Sequence, residues 1–293
     1  MIDQITKHQT TTGNTYKFCL LIPSWNNMAF LKNCLNSIKK NSYYNDIQII
    51  VIINEGTDGT LEWIETQQEI DYIHSKTNIG ICYALNIARS LIKSDYVVYV
   101  NDDMYLLPDW DLAIETEIQR TGHNRFMFSC TMIEPKDSGN KCVIVKDYGT
   151  DTANFKEDQL LNDYKNLFIN DWNGSTWPPT IIHLDLWDLV GGMSIEYSPG
   201  MYSDPDLSRK LYEAGVRIFK GIGTSLVYHF GQKTTRKIKS NNGRKLFLHK
   251  WGITPRTFTA SFLQIGTVST GEVASPKITA LQKIITKCKQ RIN

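Results

Sequence analysis

Five consecutive β-prone residues, Tyr96-Val97-Val98-Tyr99-Val100, run directly into Asn101-Asp102-Asp103. A short apolar run closed by a turn signal reads as a buried strand. Open α/β sheets collect their ligands beyond the C-terminal ends of strands, which is where this one delivers its two acids. Adjacent carboxylates repel, so the cluster makes most sense with a cation on it. The plain alternative is a solvated polar turn ahead of Pro108.

The preceding chain supplies partners for such a strand. Residues 1–17, rich in Thr, Gln and Lys, read as a loose leader. Phe18 to Ile22 predicts a buried strand stopped by Pro23, and Met28, Leu31, Leu35 and Ile38 predict an amphipathic helix ending near Asn41. Ile47 to Ile53 is a second strand, closed by the turn Asn54-Glu55-Gly56-Thr57-Asp58-Gly59, after which Thr60 is placed to cap a helix. Tyr72 to His74 is a short strand, and Asn78-Ile79-Gly80 turns into a helix carrying Ile81, Ala84, Leu85, Ala88 and Leu91. The order β-α-β-α-β-α-β within about a hundred residues predicts a parallel sheet with crossover helices. Neither a G-x-G-x-x-G fingerprint nor a Walker loop accompanies it.

Beyond Pro108 the pattern predicts a helix through Trp110, Ala113, Ile114 and Ile118, then a strand from Phe126 to Met132. Residues 134–180 are less regular, and a loop of that length in a compact domain is usually functional. Ile181 to Leu184 reads as a strand, and Leu186 to Val190 as a short helix ended by Gly191-Gly192. Leu207 and Leu211 mark a further helix with Gly215 as C-cap. Val216 to Lys220 and Ser225 to Tyr228 read as two strands leading to His229. The chain is basic from Lys233 to Lys250. A last helix is predicted over Lys277 to Arg291, with Ile278, Leu281, Ile284, Ile285 and Cys288 on one stripe and most of its cations off it.

With 293 residues, 41% hydrophobic and 21% charged, the chain can bury a large core as one α/β domain with an appendage. A net charge of +2 gives no nucleic-acid signature. The six cysteines include no C-x-x-C pair and read as free thiols of a reducing compartment. No apolar run reaches membrane-spanning length and the N-terminus is polar, so the expectation is a cytoplasmic protein.

Taken in order, Ile22-Pro23-Ser24-Trp25-Asn26, the Asn54–Thr60 turn, Asn78-x-Gly80, Asn101-Asp102-Asp103, Pro108, Gly191-Gly192, Asp204-Pro205-Asp206-Leu207, Gly215 and His229 resemble the family 2 glycosyltransferases. Each motif is weak alone; their order over residues 18–231 carries the resemblance. It implies a GT-A fold, an α/β Rossmann-like mixed sheet flanked by helices, here with a C-terminal helical extension. It also implies transfer of a sugar, with inversion, from a nucleotide-sugar donor to a carbohydrate, glycolipid or glycan acceptor, usually with Mn²⁺ or Mg²⁺. The expected division is a leader (1–17), a catalytic domain (18–231) with nucleotide-binding (18–108) and acceptor (109–231) halves, and an extension (232–293).

The resemblance also assigns roles. Asn101-x-Asp103 occupies the D-x-D position, which makes Asp103 a metal ligand and leaves Asp102 nearer the donor's hydroxyls. Asn101 brings a neutral carbonyl where many relatives have a carboxylate. His229 stands where relatives complete the metal site with histidine. Asp204 matches the family's base, a role worth about 10²–10⁴-fold. Helix capping competes for that side chain, and Asp206 is the second candidate. Pro23, Ser24, Trp25, Asn26, Asn54, Glu55, Asn78 and Gly80 fall on donor loops, with Asn54 or Glu55 facing a uracil ring. For these loops, turn chemistry is the competing explanation.

Trp172, Trp177 and Trp187 flank the middle segment, and aromatic faces stack on sugars. The acceptor is therefore expected near Trp177, Gly191 and Gly192. The basic terminal helix suits peripheral contact at the inner face of a membrane, at most about 5 kcal/mol from its five cations, or self-association through its apolar stripe. A non-catalytic carbohydrate-binding relative is the rival reading, motivated by Asn101, by Ser203 where glutamate is common, and by Leu85 where arginine is common. A sugar nucleotidyltransferase would want a Gly- and Arg-rich loop after the first strand, which Pro23-Ser24-Trp25-Asn26-Asn27 is not.

Overall fold

The computed structural model describes residues 4–10, 15–231, 241–276 and 279–280. Its strands are β1 (Ile5–His8), β2 (Tyr16–Trp25), β3 (Ile47–Asn54), β4 (Asp71–Ser75), β5 (Ser94–Tyr99), β6 (Met104–Leu106), β7 (Phe126–Glu134), β8 (Ile144–Val145), β9 (Trp172–Asn173), β10 (Thr180–His183) and β11 (Ile218–His229). The helices are α1 (Met28–Asn41), α2 (Thr60–Ile64), α3 (Gly80–Ala88), α4 (Trp110–Thr121), α5 (Glu157–Asp163), α6 (Leu184–Val190), α7 (Ser203–Glu213) and α8 (Gly243–Trp251).

The strands form one mixed sheet in the order β1-β4-β3-β2-β5-β10-β7-β11-β6, with β8 beside β7 and β9 beside β11. Alternation along β2 and β3 decides how its faces are covered. Cys19, Leu21, Ile50 and Ile52 enter a core shared with α3, α6 and α7. Phe18, Leu20, Ile22, Val51 and Ile53 enter a second core against α1 and α4. β2, β3, β4 and β5 are parallel, as the sequence order predicts.

That order contains a switch point. From β2 the chain moves outward through β3 to β4, then returns to place β5 on the other side of β2. The crevice beyond the C-terminal ends of β2 and β5 is where ligands enter such sheets. Trp25 and Asn101 stand at its two lips.

Several expectations are corrected. The leader contributes β1, an antiparallel edge strand on β4. β2 runs through Pro23 rather than stopping there. β5 accompanies β2 only as far as Leu21, and a proline is tolerated where one edge of a strand is free. β10 pairs antiparallel with both β5 and β7. The two strands expected after Gly215 are one, β11, with its register against β7 slipping between Ile222 and Leu226.

Residues 243–263 join the main core through Phe247, Phe258, Phe262 and Leu263. Arg209 of α7 lies among the rings of Tyr212, Trp251, Phe258 and Phe262, 4.6 Å from the last centroid. The basic helix expected over Lys277–Arg291 lies outside the described residues apart from Thr279 and Ala280. Among the described residues, no helix is long and apolar enough to cross a membrane. Cys19, Cys34, Cys82, Cys130 and Cys142 are free and buried.

Candidate active site

A cavity of about 930 Å³ opens at the switch point, near the upper end of ordinary ligand pockets. Pro23, Ser24, Trp25, Asn54, Asn78, Gly80, Asn101, Asp102, Asp103, Trp177, Asp204 and His229 all line it. Residues far apart in the sequence thus meet at one place.

Asp103 and His229 meet because β6 pairs antiparallel with β11, with Met104 opposite His229. His229 Nε2 lies 3.5 Å from Asp103 Oδ1. On the ring's other side Nδ1 stands 2.8 Å from Glu134 Oε1 at the end of β7. Burial would lower the His229 pKa, but the carboxylates of Asp103 and Glu134 outweigh burial and raise it to about 10. A carboxylate holding Nδ1 while Nε2 faces another acid is how metal-binding histidines are oriented. Among the described residues, no group of three or more His, Cys, Asp or Glu side chains is arranged to hold an ion. A cation taken up between Asp103 and His229 would have to displace the proton that the two carboxylates hold on the imidazole, and would need further oxygens from a ligand.

Asp102 is half-buried in the cavity wall. Burial and then the neighbouring charge of Asp103 push its pKa up to about 7, against the lowering effect of the Ser24 and Asn27 side chains. Trp25 lines the cavity, while its Nε1 is buried without a hydrogen-bond partner among the described residues. The amide of Asn101 brings no charge to the cavity wall.

The loops after β2, β3 and β4 are held by hydrogen bonds of turn type. Asn54 Oδ1 accepts from the Ile79 N–H at 3.0 Å, and Asn78 Oδ1 from the Gly80 N–H at 2.8 Å. Gly80 has φ +74°, and a Cβ there would stand 2.8 Å from Pro199 Cα. Only glycine lets these loops touch. Asn26 and Glu55 bond each other at 3.1 Å, and Asn26 Oδ1 also accepts from the Thr57 N–H at 2.8 Å. Neither lines the cavity; they latch the β2 and β3 loops together. Asp58, not Thr60, is the capping side chain, accepting from the Met28 N–H at 2.8 Å and from Thr60 Oγ1 at 2.5 Å.

The two acids of α7 part company. Residues two apart on a helix do not share a face. Asp204 lines the cavity with no side-chain hydrogen bond among the described residues, and burial pushes its pKa up to about 7. Asp206 is fully buried behind it. Trp251 Nε1 donates to its Oδ1 at 2.7 Å and Lys250 Nζ to its Oδ2 at 3.1 Å. Tyr202, just before α7, has φ +70°, a strained conformation for a bulky residue and of the kind that gathers at functional sites.

Gly191 ends α6 in the left-handed conformation, and the Gly192 N–H donates to the Trp187 carbonyl at 2.9 Å. Neither lines the cavity. Trp172 and Trp187 are core residues, 6% and 3% exposed, which leaves Trp177 as the tryptophan of that trio in the wall. Glu134, Tyr99, Arg244 and Arg256 line the cavity without having stood out in the sequence. Glu134 ends an apolar strand as Asp102 follows one, a signal that could have found it. The arginines come from the extension, where no local pattern marks them.

A sequence model of glycosyl transferase family 2 matches residues 19–170. An uncharacterized glycosyltransferase of Haemophilus influenzae is 27% identical over 251 residues, 80% of this chain and 75% of the relative. Among solved structures, S. aureus TarS residues 1–349 superposes with TM-score 0.53 at 16% identity, over 73% of this chain and 60% of that one. That protein has also been crystallised with UDP and with UDP-GlcNAc. GalNAc-T7, crystallised with UDP, GalNAc and Mn²⁺, superposes with TM-score 0.58 at 11% identity, over 85% of this chain and 50% of that one. The chain thus spans little more than half the length of these solved chains, and at such identities the likeness is one of fold: the GT-A architecture expected from the sequence.

Proposed function

This chain belongs to glycosyl transferase family 2, and on that premise we propose that it moves a hexose from a UDP-sugar to an acceptor hydroxyl, with inversion and with Mn²⁺ or Mg²⁺. The observation that carries the reading is a single cavity onto which Asp102, Asp103, His229 and Asp204 all open. Uridine as the base is supported by the UDP in the TarS and GalNAc-T7 crystals.

In one displacement the acceptor oxygen bonds to the anomeric carbon as the bond from that carbon to the diphosphate breaks. The acceptor proton passes to Asp204, whose pKa of about 7 suits a base working near neutrality. Asp103 and His229 Nε2 would hold the cation, with Glu134 fixing the imidazole. Bound there, a divalent ion supplies Lewis-acid neutralisation of the departing diphosphate. Asp102 would accept hydrogen bonds from the donor's hydroxyls, and Trp25 would form part of the wall beside it. Trp177 offers a face for the acceptor sugar.

The test is donor turnover by purified protein with UDP-hexoses and Mn²⁺. Turnover that is lost on both Asp103→Ala and Asp204→Asn supports the transferase. Absence of UDP binding in the presence of Mn²⁺ overturns it, and UDP-sugar binding without turnover of any donor favours the non-catalytic alternative.

A further inference from the structure

We propose that Arg244 and Arg256 form an anion subsite for the acceptor, so that the hydroxyl to be glycosylated is carried by a phosphate- or carboxylate-bearing sugar. This rests on the transferase reading above and goes beyond it by naming the acceptor's chemistry.

Among the described residues that line the cavity, these two are the only Lys or Arg. Both arginines are exposed at the cavity's rim, and neither guanidinium makes a hydrogen bond or ion pair within the described residues, whereas Arg89, Arg120 and Arg209 are each paired with a carboxylate. The acids of the wall do not neutralise them: Asp103 and Glu134 face His229.

Their place in the fold puts them on the acceptor's side. Arg244 follows Gly243, the first residue of α8, where a Cβ would collide with the Met201 carbonyl oxygen. Its neighbour Asn241 donates to the carbonyls of Tyr197, Ser198 and Met201, the loop that leads into Asp204. Arg256 lies in the turn Pro255–Thr257, just before the Phe258 and Phe262 rings that pack around Arg209 of α7. Both arginines are thus borne on segments packed against the element that carries the base.

The charge balance points the same way. Asp102, Asp103, Glu134 and Asp204 line the same cavity, and the charge that His229 leaves unbalanced repels an anionic acceptor. A pair of guanidinium forks offsets that repulsion and suits phosphate or carboxylate oxygens, which they engage two at a time. A neutral acceptor gives them nothing to bind.

Calorimetry on the full chain, with UDP and Mn²⁺ present, would titrate methyl glucoside, its 6-phosphate ester and methyl glucuronide. At least one charged probe should bind about tenfold or more tightly than the neutral one; which of the two it is distinguishes phosphate from carboxylate. The Arg244→Gln/Arg256→Gln variant should lose that preference and keep its UDP affinity and melting temperature. Equal binding of neutral and charged probes, or no saturable binding of either charged probe, overturns the subsite. A drop of about tenfold in UDP affinity in the variant also overturns it, by placing the arginines on the donor. If the wild-type protein binds no UDP at all, it is the transferase reading that fails.

Discussion

Trp251 donates its indole N–H to Asp206 Oδ1 at 2.7 Å, so the extension grips the helix that carries Asp204. The carboxylate it grips is fully buried. Hydrogen bonds to a buried charge contribute about 1.5–3 kcal/mol.

Trp251→Phe keeps most of the packing and removes that bond. The expected outcome is a melting temperature lower by roughly 3–10 °C and a reduced kcat, with UDP affinity unchanged because the donor loops lie elsewhere. A melting curve that superposes on the wild type would show that Lys250 alone suffices to hold Asp206.

Asp204→Asn should abolish transfer, by about 10²–10⁴-fold, yet stabilise the protein. The folded pKa of Asp204 is raised from 3.8 to about 7 by burial. Folding therefore favours its protonated form, and the stability tied to that proton is lost as pH rises through about 7. At pH 8 the variant should gain about 1–3 kcal/mol over wild type, and at pH 4 almost none. Thermal melts at the two pH values check the sign.

The rate profile separates the two acids whose pKa values are both raised to about 7. With Asp204 as base, kcat/KM rises with pH and levels off above about 7. Asp102→Asn should preserve that limb at a lower plateau. If Asp102→Asn erases it while Asp204→Asn leaves it, the base is Asp102.

Glu134→Gln tests the histidine's orientation. Replacing a carboxylate that orients a metal-binding histidine typically weakens metal affinity about 10–100-fold. UDP titrations over a Mn²⁺ series should show that loss, with Asp103→Ala showing a larger one. An unchanged Mn²⁺ dependence in Glu134→Gln would remove His229 from the cation site.

The donor half was largely legible because its physics is local. Apolar runs such as Ile47–Ile53 announce strands, and the helix between each pair forces parallel pairing. Ile5–His8 escaped notice because an exposed edge strand needs no apolar pattern. β11 was split in two because Gly221-Ile222-Gly223 resembles a turn, whereas it lies at the register slip of one strand.

At the site, the sequence could place acids at Asp204 and Asp206 but not say which faced the cavity. That depends on the rotation of α7, which Trp251 and Lys250 help to fix from some 45 residues away. The arginines were hidden for the same reason: their meaning comes from what the extension packs against.

The Asp103–His229 pair hangs on the β6–β11 ladder at the sheet's edge. Arg244 and Arg256 are borne on later segments that join the main core through Phe247 and Phe258. If the two arginines select the acceptor, substitutions on their segments would alter that choice without touching the β6–β11 ladder that aligns Asp103 with His229.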